Sequence, residues 1–188
     1  MSAEEQTAEI DAGLFDAAPT VQKNASISEC GQYRYSLHRW WGDGPRLGFV
    51  MLNPSTADAD LDDPTIRRCL GFARTLGYDG IRVFNLYAFR ATKPADLWRA
   101  EEPTGGERND DLLREVLHQA KAWPVVAAWG ANARADRVGT VLGWKGSEYL
   151  TALGVTKDGA PRHPLYLRAD ARPEPWPTRV TSPDEGRA

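Results

Sequence analysis

Three short and almost entirely apolar runs, separated by segments with helical spacing, constrain the fold of this chain most strongly. They are RLGFVML at 46–52, IRVFNLY at 81–87 and PVVAAWG at 124–130. Runs of this length without polar alternation are typical of strands that are covered on both faces. Strands that alternate with helices are joined by right-handed crossovers, which makes their sheet mainly parallel. The sequence therefore predicts an α/β fold.

Two further segments complete the predicted sheet. EYLTALGV at 148–155 follows a helical segment near 131–143 and supplies a fourth core strand. The alternating, aromatic YRYSLHRWW at 33–41 supplies an antiparallel N-terminal edge strand. The predicted fold is a three-layer α/β sandwich with a mainly parallel four-stranded central sheet and this one edge strand.

Capping residues indicate where two of the helices begin. Asp63 followed by Pro64 is typical of an N-cap and a first helical residue, and apolar residues then recur at helical spacing as far as Gly77. Asn109, which is followed by two aspartates, predicts a second N-cap.

The two ends of the chain differ in composition from its body. Residues 1–24 are acidic and predict a disordered tail. Residues 169–188 are rich in proline and predict a second tail, in which Trp176 is a candidate anchor onto the body. The intervening residues, 25–168, are expected to form a single α/β domain, as the length of 188 residues favours.

The distribution of charge along the chain argues against one class of binding partner. The net charge is -3, but residues 1–23 hold five acidic side chains and one lysine, so the rest of the chain is close to +1. A body this close to neutral lacks the basic stripe of a non-specific nucleic-acid binder, and it still permits local contact with DNA.

Cysteine and histidine content predicts no cofactor and no metal. The two cysteines, Cys30 and Cys69, have no C-x-x-C spacing, and the three histidines are widely separated. The acidic N-terminus and the lack of a long apolar stretch predict a cytoplasmic protein that does not enter a membrane. The oligomeric state is left open.

Polar or flexible residues lie where the predicted strands end. Asn53 follows the first core strand, Asn85 lies late in the second, Gly130 closes the third, and His163 follows the fourth. Ligands bind at the carboxyl ends of such strands, so we expect these residues to share one cleft. The chain lacks the phosphate-binding, dinucleotide-binding and serine-nucleophile motifs of other α/β enzymes.

Residues 33–168 resemble an uncharacterised bacterial family that is classed as a domain of unknown function. The resemblance is carried by the strings LNPSTAD, DDPTIRRC, GFA, NLYAFRAT, AAWG and TKDGAPRHPLYL. These strings are long and specific, but the family brings no activity with it.

The strand ends also resemble motifs of the uracil-DNA glycosylase superfamily. The triplet 53–55 is similar to the N-P-G turn of the mismatch-specific branch, with Ser55 in place of glycine. His163 and the following proline match the start of a late H-P-[SA] motif, and Asn85 matches an asparagine that recognises the base.

A third motif is only partly present. In the thermostable branch the second strand runs into N-x-x-x-C-R-P-P, and this chain has Asn85, Arg90 and a displaced Pro94. The iron–sulfur cluster of that branch needs more cysteines than the two present here.

The glycosylase resemblance implies hydrolysis of the N-glycosidic bond of a flipped or modified base in DNA, without a cofactor. In that reaction Asn53 would position a water, His163 would donate to the departing base, and Asn85 would select the base edge. An amide cannot accept a proton, so Asp58 is predicted to supplement Asn53. The remaining candidates are Ser55, Tyr87, Phe89, Trp129 and Gly130 for the base, and Arg90 and Arg162 for phosphates.

Three functions stay open at this point. The first is a base-excising enzyme on DNA, and the second is a hydrolase of free nucleotides or nucleosides, which the near-neutral body favours. The third is a non-catalytic module that binds a base or a modified nucleic acid, which the missing carboxylate at position 53 favours. The structural alternatives are a turn cap for Asn53 and a hydrogen-bonded histidine for His163.

Overall fold

The computed structural model describes residues 20–55 and 62–176, and within them the chain forms a seven-stranded mixed sheet. The strands are β1 (Gln22–Ile27), β2 (Arg34–Trp40), β3 (Leu47–Met51), β4 (Gly80–Asn85), β5 (Val125–Ala127), β6 (Thr151–Ala152) and β7 (Glu174–Pro175). Their order across the sheet is β1-β2-β4-β3-β5-β6-β7. β3 pairs in parallel with β4 and β5, and β5 pairs in parallel with β6. The pairs β1–β2, β2–β4 and β6–β7 are antiparallel.

Helices pack against both faces of this sheet. They are α1 (Pro64–Thr75), α2 (Pro94–Leu97), α3 (Gly106–Gln119) and α4 (Ala135–Leu142). Alternate residues of β3 enter two separate hydrophobic clusters, because successive side chains of a strand point to opposite faces. Val50 packs with apolar residues of α3 and α4, whereas Phe49 and Met51 pack with those of α1. The predicted α/β class is confirmed, with a larger sheet than the sequence predicted.

The start of α1 is where the sequence placed it. The Asp63 carboxylate accepts a hydrogen bond from the backbone N–H of Ile66 at 2.8 Å, and Pro64 is the first helical residue. Five residues on the inner face of the helix, from Ile66 to Ala73, are buried. The predicted N-cap is therefore confirmed.

The predicted start of α3 is wrong by four residues. The helix begins at Gly106, and its N-cap is Gly105, whose φ of 83° lies in the left-handed region that favours glycine. Asn109 is instead buried within the helix, and its side-chain amide donates to the backbone oxygens of Asn85 and Leu86 at 3.2 and 3.4 Å. The asparagine thus holds the end of a strand, a task that its sequence context does not reveal.

The fourth predicted core strand is much shorter than its apolar pattern. Residues 147–149 form a 3₁₀ turn, and only Thr151 and Ala152 are in β6. The turn forms because the Ser147 hydroxyl donates to the carbonyl of Leu142 and the backbone N–H of Gly146 donates to the Glu148 carboxylate. Local side-chain hydrogen bonds of this kind compete with strand pairing.

Both predicted tails contribute strands. β1 begins at Gln22, so the last three residues of the predicted N-terminal tail lie in the sheet, and β2 is not an edge strand because β1 pairs outside it. At the other end, β7 pairs with β6 and is followed by Trp176. The Trp176 indole donates to the carbonyl of Gly159 at 3.0 Å, and its ring lies 5.2 Å from that of Trp129. The predicted anchor is confirmed, while residues 1–19 and 177–188 lie outside the described part of the chain.

No helix among the described residues is long and apolar enough to cross a membrane.

Candidate functional site

A cleft of about 490 Å³ opens beyond the carboxyl ends of β3 and β5, beside the first turn of α1. This is the edge of an α/β sheet where ligands usually bind. The structure brings six of the residues predicted from sequence to its walls: Asn53, Ser55, Trp129, Gly130, Arg162 and His163.

Asn53 lies two residues after the end of β3, and its amide orientation is set by the backbone. Its side-chain nitrogen donates to the carbonyl of Ala91 at 2.7 Å and to that of Pro54 at 3.0 Å. Because a primary amide has two N–H hydrogens, these bonds use its donors. The side-chain oxygen of Asn53 is thereby left as an acceptor on the wall of the cleft.

His163 is half-buried and has a defined tautomer. It precedes a 3₁₀ turn at Pro164–Tyr166, and its Nδ1 accepts a hydrogen bond from the backbone N–H of Leu165 at 3.4 Å. A neutral imidazole whose Nδ1 is an acceptor carries its proton on Nε2. Burial lowers the pKa of His163 below its ordinary 6.5, and the charge of Asp63 opposes that shift in part. His163 is therefore a neutral donor at neutral pH.

Gly130 and Trp129 connect the end of β5 to the loop that carries His163. The backbone N–H of Gly130 donates to the carbonyl of Pro161 at 2.9 Å, and its φ of 75° lies in the left-handed region. A side chain at this position would be strained, so glycine allows the chain to turn at the cleft. Trp129 is buried against Trp176, which lets it form the wall rather than a mobile cover.

Ser55 and Asp63 bond to each other across the mouth of the cleft. The Ser55 hydroxyl donates to Asp63 at 2.8 Å, and the other carboxylate oxygen accepts the helix-capping bond described above. Asp63 also lines the cleft, and its charge acts on the pKa of both His163 and Arg34. Sequence reasoning assigned Asp63 to the cap alone. The predicted acid, Asp58, lies outside the described residues.

Arg34 is a second charged cleft residue that sequence reasoning missed. It lies at the start of β2, is only 3% exposed, and lines the cleft. Burial lowers the pKa of its guanidinium to about 10, with Asp63 opposing the shift. The available signal was an arginine near the start of the alternating segment 33–41, which the sequence predicts as an antiparallel edge strand.

Four other predicted residues do not line the cleft. Asn85 is fully buried one strand away, paired in register with Met51 of the cleft wall. Neither amide atom of Asn85 has a hydrogen-bond partner among the residues that the structure describes. Tyr87 and Phe89 are held edge to face by neighbouring rings. Arg90 donates to the carbonyl of Gly31 at 2.9 Å.

The charge of the cleft favours an anionic ligand. Within the described residues, its walls hold two guanidinium groups, of Arg34 and Arg162, and the single carboxylate of Asp63. Arg162 is exposed and donates to the carbonyl of Tyr166 at 3.0 Å, so its charge lies at the rim. With His163 neutral, the lining carries a net charge of +1.

Comparisons with known proteins identify a family but no activity. The model of the family described as "Protein of unknown function (DUF1643)" matches residues 34–165. No curated protein matches the chain. A crystal structure of L-tryptophan dehydrogenase from Nostoc punctiforme is similar over 70% of this chain and 36% of that chain, with 14% identity and a TM-score of 0.30. This chain therefore spans about a third of that enzyme's length, and a TM-score this low does not establish a common fold.

Proposed function

Since the chain belongs to the DUF1643 family, whose members are described as proteins of unknown function, we propose its activity from the cleft itself: hydrolysis of the N-glycosidic bond of a nucleotide unit. The observation that carries the proposal is one pair of side chains on the walls of one cleft. Asn53 offers an oriented acceptor oxygen, and His163 offers a neutral Nε2–H donor. Hydrolysis of this bond needs one group of each kind.

The two groups act at opposite ends of the breaking bond. As the bond between the sugar carbon C1′ and the base nitrogen breaks, its electron pair leaves with the base and the sugar becomes an oxocarbenium-like cation. His163 donates to a base oxygen where negative charge develops, which lowers the barrier because the bond strengthens in the transition state. Asn53 accepts from a water that adds to C1′, and the proton of that water passes to a carboxylate.

Two carboxylates are candidates for that proton. Asp63 lines the cleft, but its two oxygens accept from Ser55 and from the backbone of Ile66. Asp58 follows the Asn53 turn by five positions and stays the predicted acceptor. Water can also carry the proton away, so the reaction does not depend on Asp58 alone.

The uracil-DNA glycosylase resemblance supports this proposal at Asn53 and His163, which are its two matched catalytic positions. We extend the proposal to a related fold, which the parallel pairing of β4, β3, β5 and β6 supports. Asn85 would then lie behind the cleft wall with its amide unused, available to a base edge after movement of that wall.

Release of free base is the direct test. Purified protein is incubated with deoxynucleosides, their 5′-monophosphates, and single-stranded and duplex oligonucleotides that contain uracil, mismatched thymine or modified bases. Free base is measured by chromatography, and abasic sites in oligonucleotides are measured by alkaline cleavage. Base release from oligonucleotides identifies a DNA enzyme, and release from monophosphates alone identifies a nucleotide hydrolase. Binding without release from any substrate would refute hydrolysis and leave a base-binding module.

Two variants and two matched controls assign the chemistry. We expect His163→Ala to lower turnover by about 100-fold to 1,000-fold, the effect of removing one transition-state donor, and Asn53→Ala to lower it to a similar extent. His118→Ala and Asn24→Ala remove the same residue types at exposed positions outside the cleft and should retain wild-type turnover. Wild-type turnover in both cleft variants would refute the assigned roles.

A further inference from the structure

We propose that Arg34 binds the phosphate of the substrate, which makes phosphorylated nucleotides, rather than nucleosides, the substrate class of this cleft. The inference rests on the proposed function for the identity of the substrate. It is carried by a different residue, and it is tested by binding rather than by turnover.

Arg34 is buried, at 3% exposed, and its Nε has no hydrogen-bonded partner in the described ranges 20–55 and 62–176. Asp63 attracts its charge without a hydrogen bond to it. A buried charge is normally paired, because removing it from water costs several kcal/mol that an unpaired charge does not recover. Arg34 lines the cleft, so a ligand there can supply the missing partner.

An irregularity in the sheet places Arg34 on the cleft side of β2. The register between β1 and β2 shifts by one residue, since Ser26 pairs with Ser36 and Ile27 pairs with Arg34. The extra residue is Tyr35, which forms a bulge. Bulges of this kind redirect a neighbouring side chain and are frequent beside active sites. Ser36 borders a groove beside α3, whereas Arg34 lines the cleft beside α1.

The chemistry of a guanidinium group indicates which ligand Arg34 would bind. The planar guanidinium binds two oxygens of one phosphate or carboxylate at once. The first turn of the 12-residue helix α1 also borders the cleft through Thr65 and Ile66, and a helix N-terminus favours negative charge. Asp63 already supplies a carboxylate nearby without bonding to Arg34. A phosphate carries more negative charge than a carboxylate. It therefore attracts Arg34 more strongly than a second carboxylate would, against the same repulsion from Asp63.

The base-independent test is a thermal-unfolding series on the wild-type protein. Inorganic phosphate, deoxyuridine, its 5′-monophosphate, a deoxyuridine oligonucleotide and acetate are compared with chloride at equal ionic strength. We expect the phosphorylated compounds to raise the unfolding midpoint, and the nucleoside and acetate to have little effect. The monophosphate and the oligonucleotide distinguish a free nucleotide from DNA as the source of the phosphate. No rise with any phosphorylated compound, or a larger rise with acetate, would overturn the proposal.

Substitutions then assign the effect to Arg34. Arg34→Met keeps the length of the side chain and removes its charge, and calorimetry should show roughly tenfold weaker binding of the phosphorylated ligand or more. Arg34→Lys keeps the charge but loses the bidentate geometry. Its affinity for the phosphorylated ligand should lie between those of the wild type and Arg34→Met. Arg108→Met, an exposed arginine on the ring of Tyr35 outside the cleft, is the control and should bind as the wild type does.

Each variant result decides the matter. Wild-type affinity in Arg34→Met would overturn the proposal. So would a large loss of stability in that variant, because it would show that Arg34 supports the fold rather than a ligand. Phosphate binding that depends on Arg34, without base release, would refute the proposed hydrolysis and keep this inference. Base release with equal affinity for nucleoside and monophosphate would support the proposed hydrolysis and refute phosphate binding by Arg34.

Discussion

Two buried arginines near the carboxyl end of the sheet, Arg34 and Arg137, have opposite surroundings. They are 3% and 8% exposed. Arg137, on α4, donates to the carbonyl of Leu86 at 2.9 Å and forms an ion pair with Asp110 at 2.6 Å. Its guanidinium also lies 5.7 Å from the centre of the Trp144 ring. The Nε of Arg34, by contrast, has no hydrogen-bond partner among the described residues.

This difference in partners indicates that Arg137 stabilises the fold, whereas Arg34 is available to a ligand. Arg137 fastens α4 and α3 to the end of β4, because the carbonyl it binds directly follows that strand and Asp110 belongs to α3. Its Nε and Nη2 both bond within the protein, so it has little to offer a ligand. Arg34 carries the same burial cost without the protein contacts that offset it, which is the condition expected of a binding group.

The largest expected effect is the contrast in stability between the two arginines. Arg137→Met leaves Asp110 without its partner, so we expect a loss of about 3 kcal/mol in the free energy of unfolding. Arg34→Met removes a buried charge that has no partner, so its stability should stay within about 1 kcal/mol of the wild type or increase. Urea denaturation at pH 7 measures both.

Equal destabilisation by the two substitutions would break the comparison, because it would make Arg34 a structural residue. Arg114→Met is the control. That arginine forms an exposed ion pair with Asp111, and such pairs contribute little.

The elements of the fold were predictable where one residue determines the local structure. The α1 cap followed from Asp63 and Pro64, and the long apolar runs contained β3, β4 and β5. The errors arose where distant contacts decide. The proline-rich sequence of residues 169–188 predicted a tail and not a strand. β7 forms there because its backbone pairs with β6.

The site was predictable for residues in recognisable turns and not for those presented by strands. Asn53 and His163 follow strands within distinctive motifs, and both line the cleft. Arg34 reaches it through a bulge that depends on the register with β1, which no local pattern specifies. Asp63 was identified only as a cap, because the Asp-Pro motif indicates the bond of one carboxylate oxygen. The bond of the second oxygen to Ser55 depends on the tertiary structure.

His38 is a basic group that is half-buried in its neutral form. Its replacement should have a smaller effect on stability than that of Arg137. It lies on β2 with Arg34, and burial together with Arg82, Arg46 and Arg39 lowers its pKa from 6.5 to about 4. Between these two values the unfolded chain binds a proton that the folded chain does not. The stability that neutral His38 contributes is therefore complete above pH 6.5 and is lost progressively as the pH falls towards about 4.

Replacement of His38 should flatten this part of the stability profile. We expect urea denaturation between pH 7 and pH 4 to show a shallower decline for His38→Gln than for the wild type. His118→Gln, at an exposed position on α3, is the control for loss of a histidine. A His38→Gln profile parallel to that of the wild type would show that burying a protonated group on this strand is tolerated, which would weaken the argument about Arg34.

The smallest effect separates the two roles of Asp63. Asp63→Asn keeps a side-chain oxygen that caps α1, and asparagine is as good an N-cap as aspartate, so stability should change by no more than about 0.5 kcal/mol. The substitution removes the negative charge that acts on Arg34. We therefore expect phosphate to bind roughly fivefold more tightly, since about 1 kcal/mol of repulsion is relieved.

Calorimetric titration with the monophosphate measures that gain, and Asp111→Asn, exposed on α3 outside the cleft, is the control for a change in overall charge. Asp63→Ala loses the cap as well and should cost about 1 kcal/mol of stability. Weaker binding in Asp63→Asn would mean that the carboxylate helps to hold the ligand, for example by fixing Ser55 through their hydrogen bond. Tighter binding would show that Asp63 partly compensates the charge of Arg34 until a phosphate takes over that role, as Asp110 does permanently for Arg137.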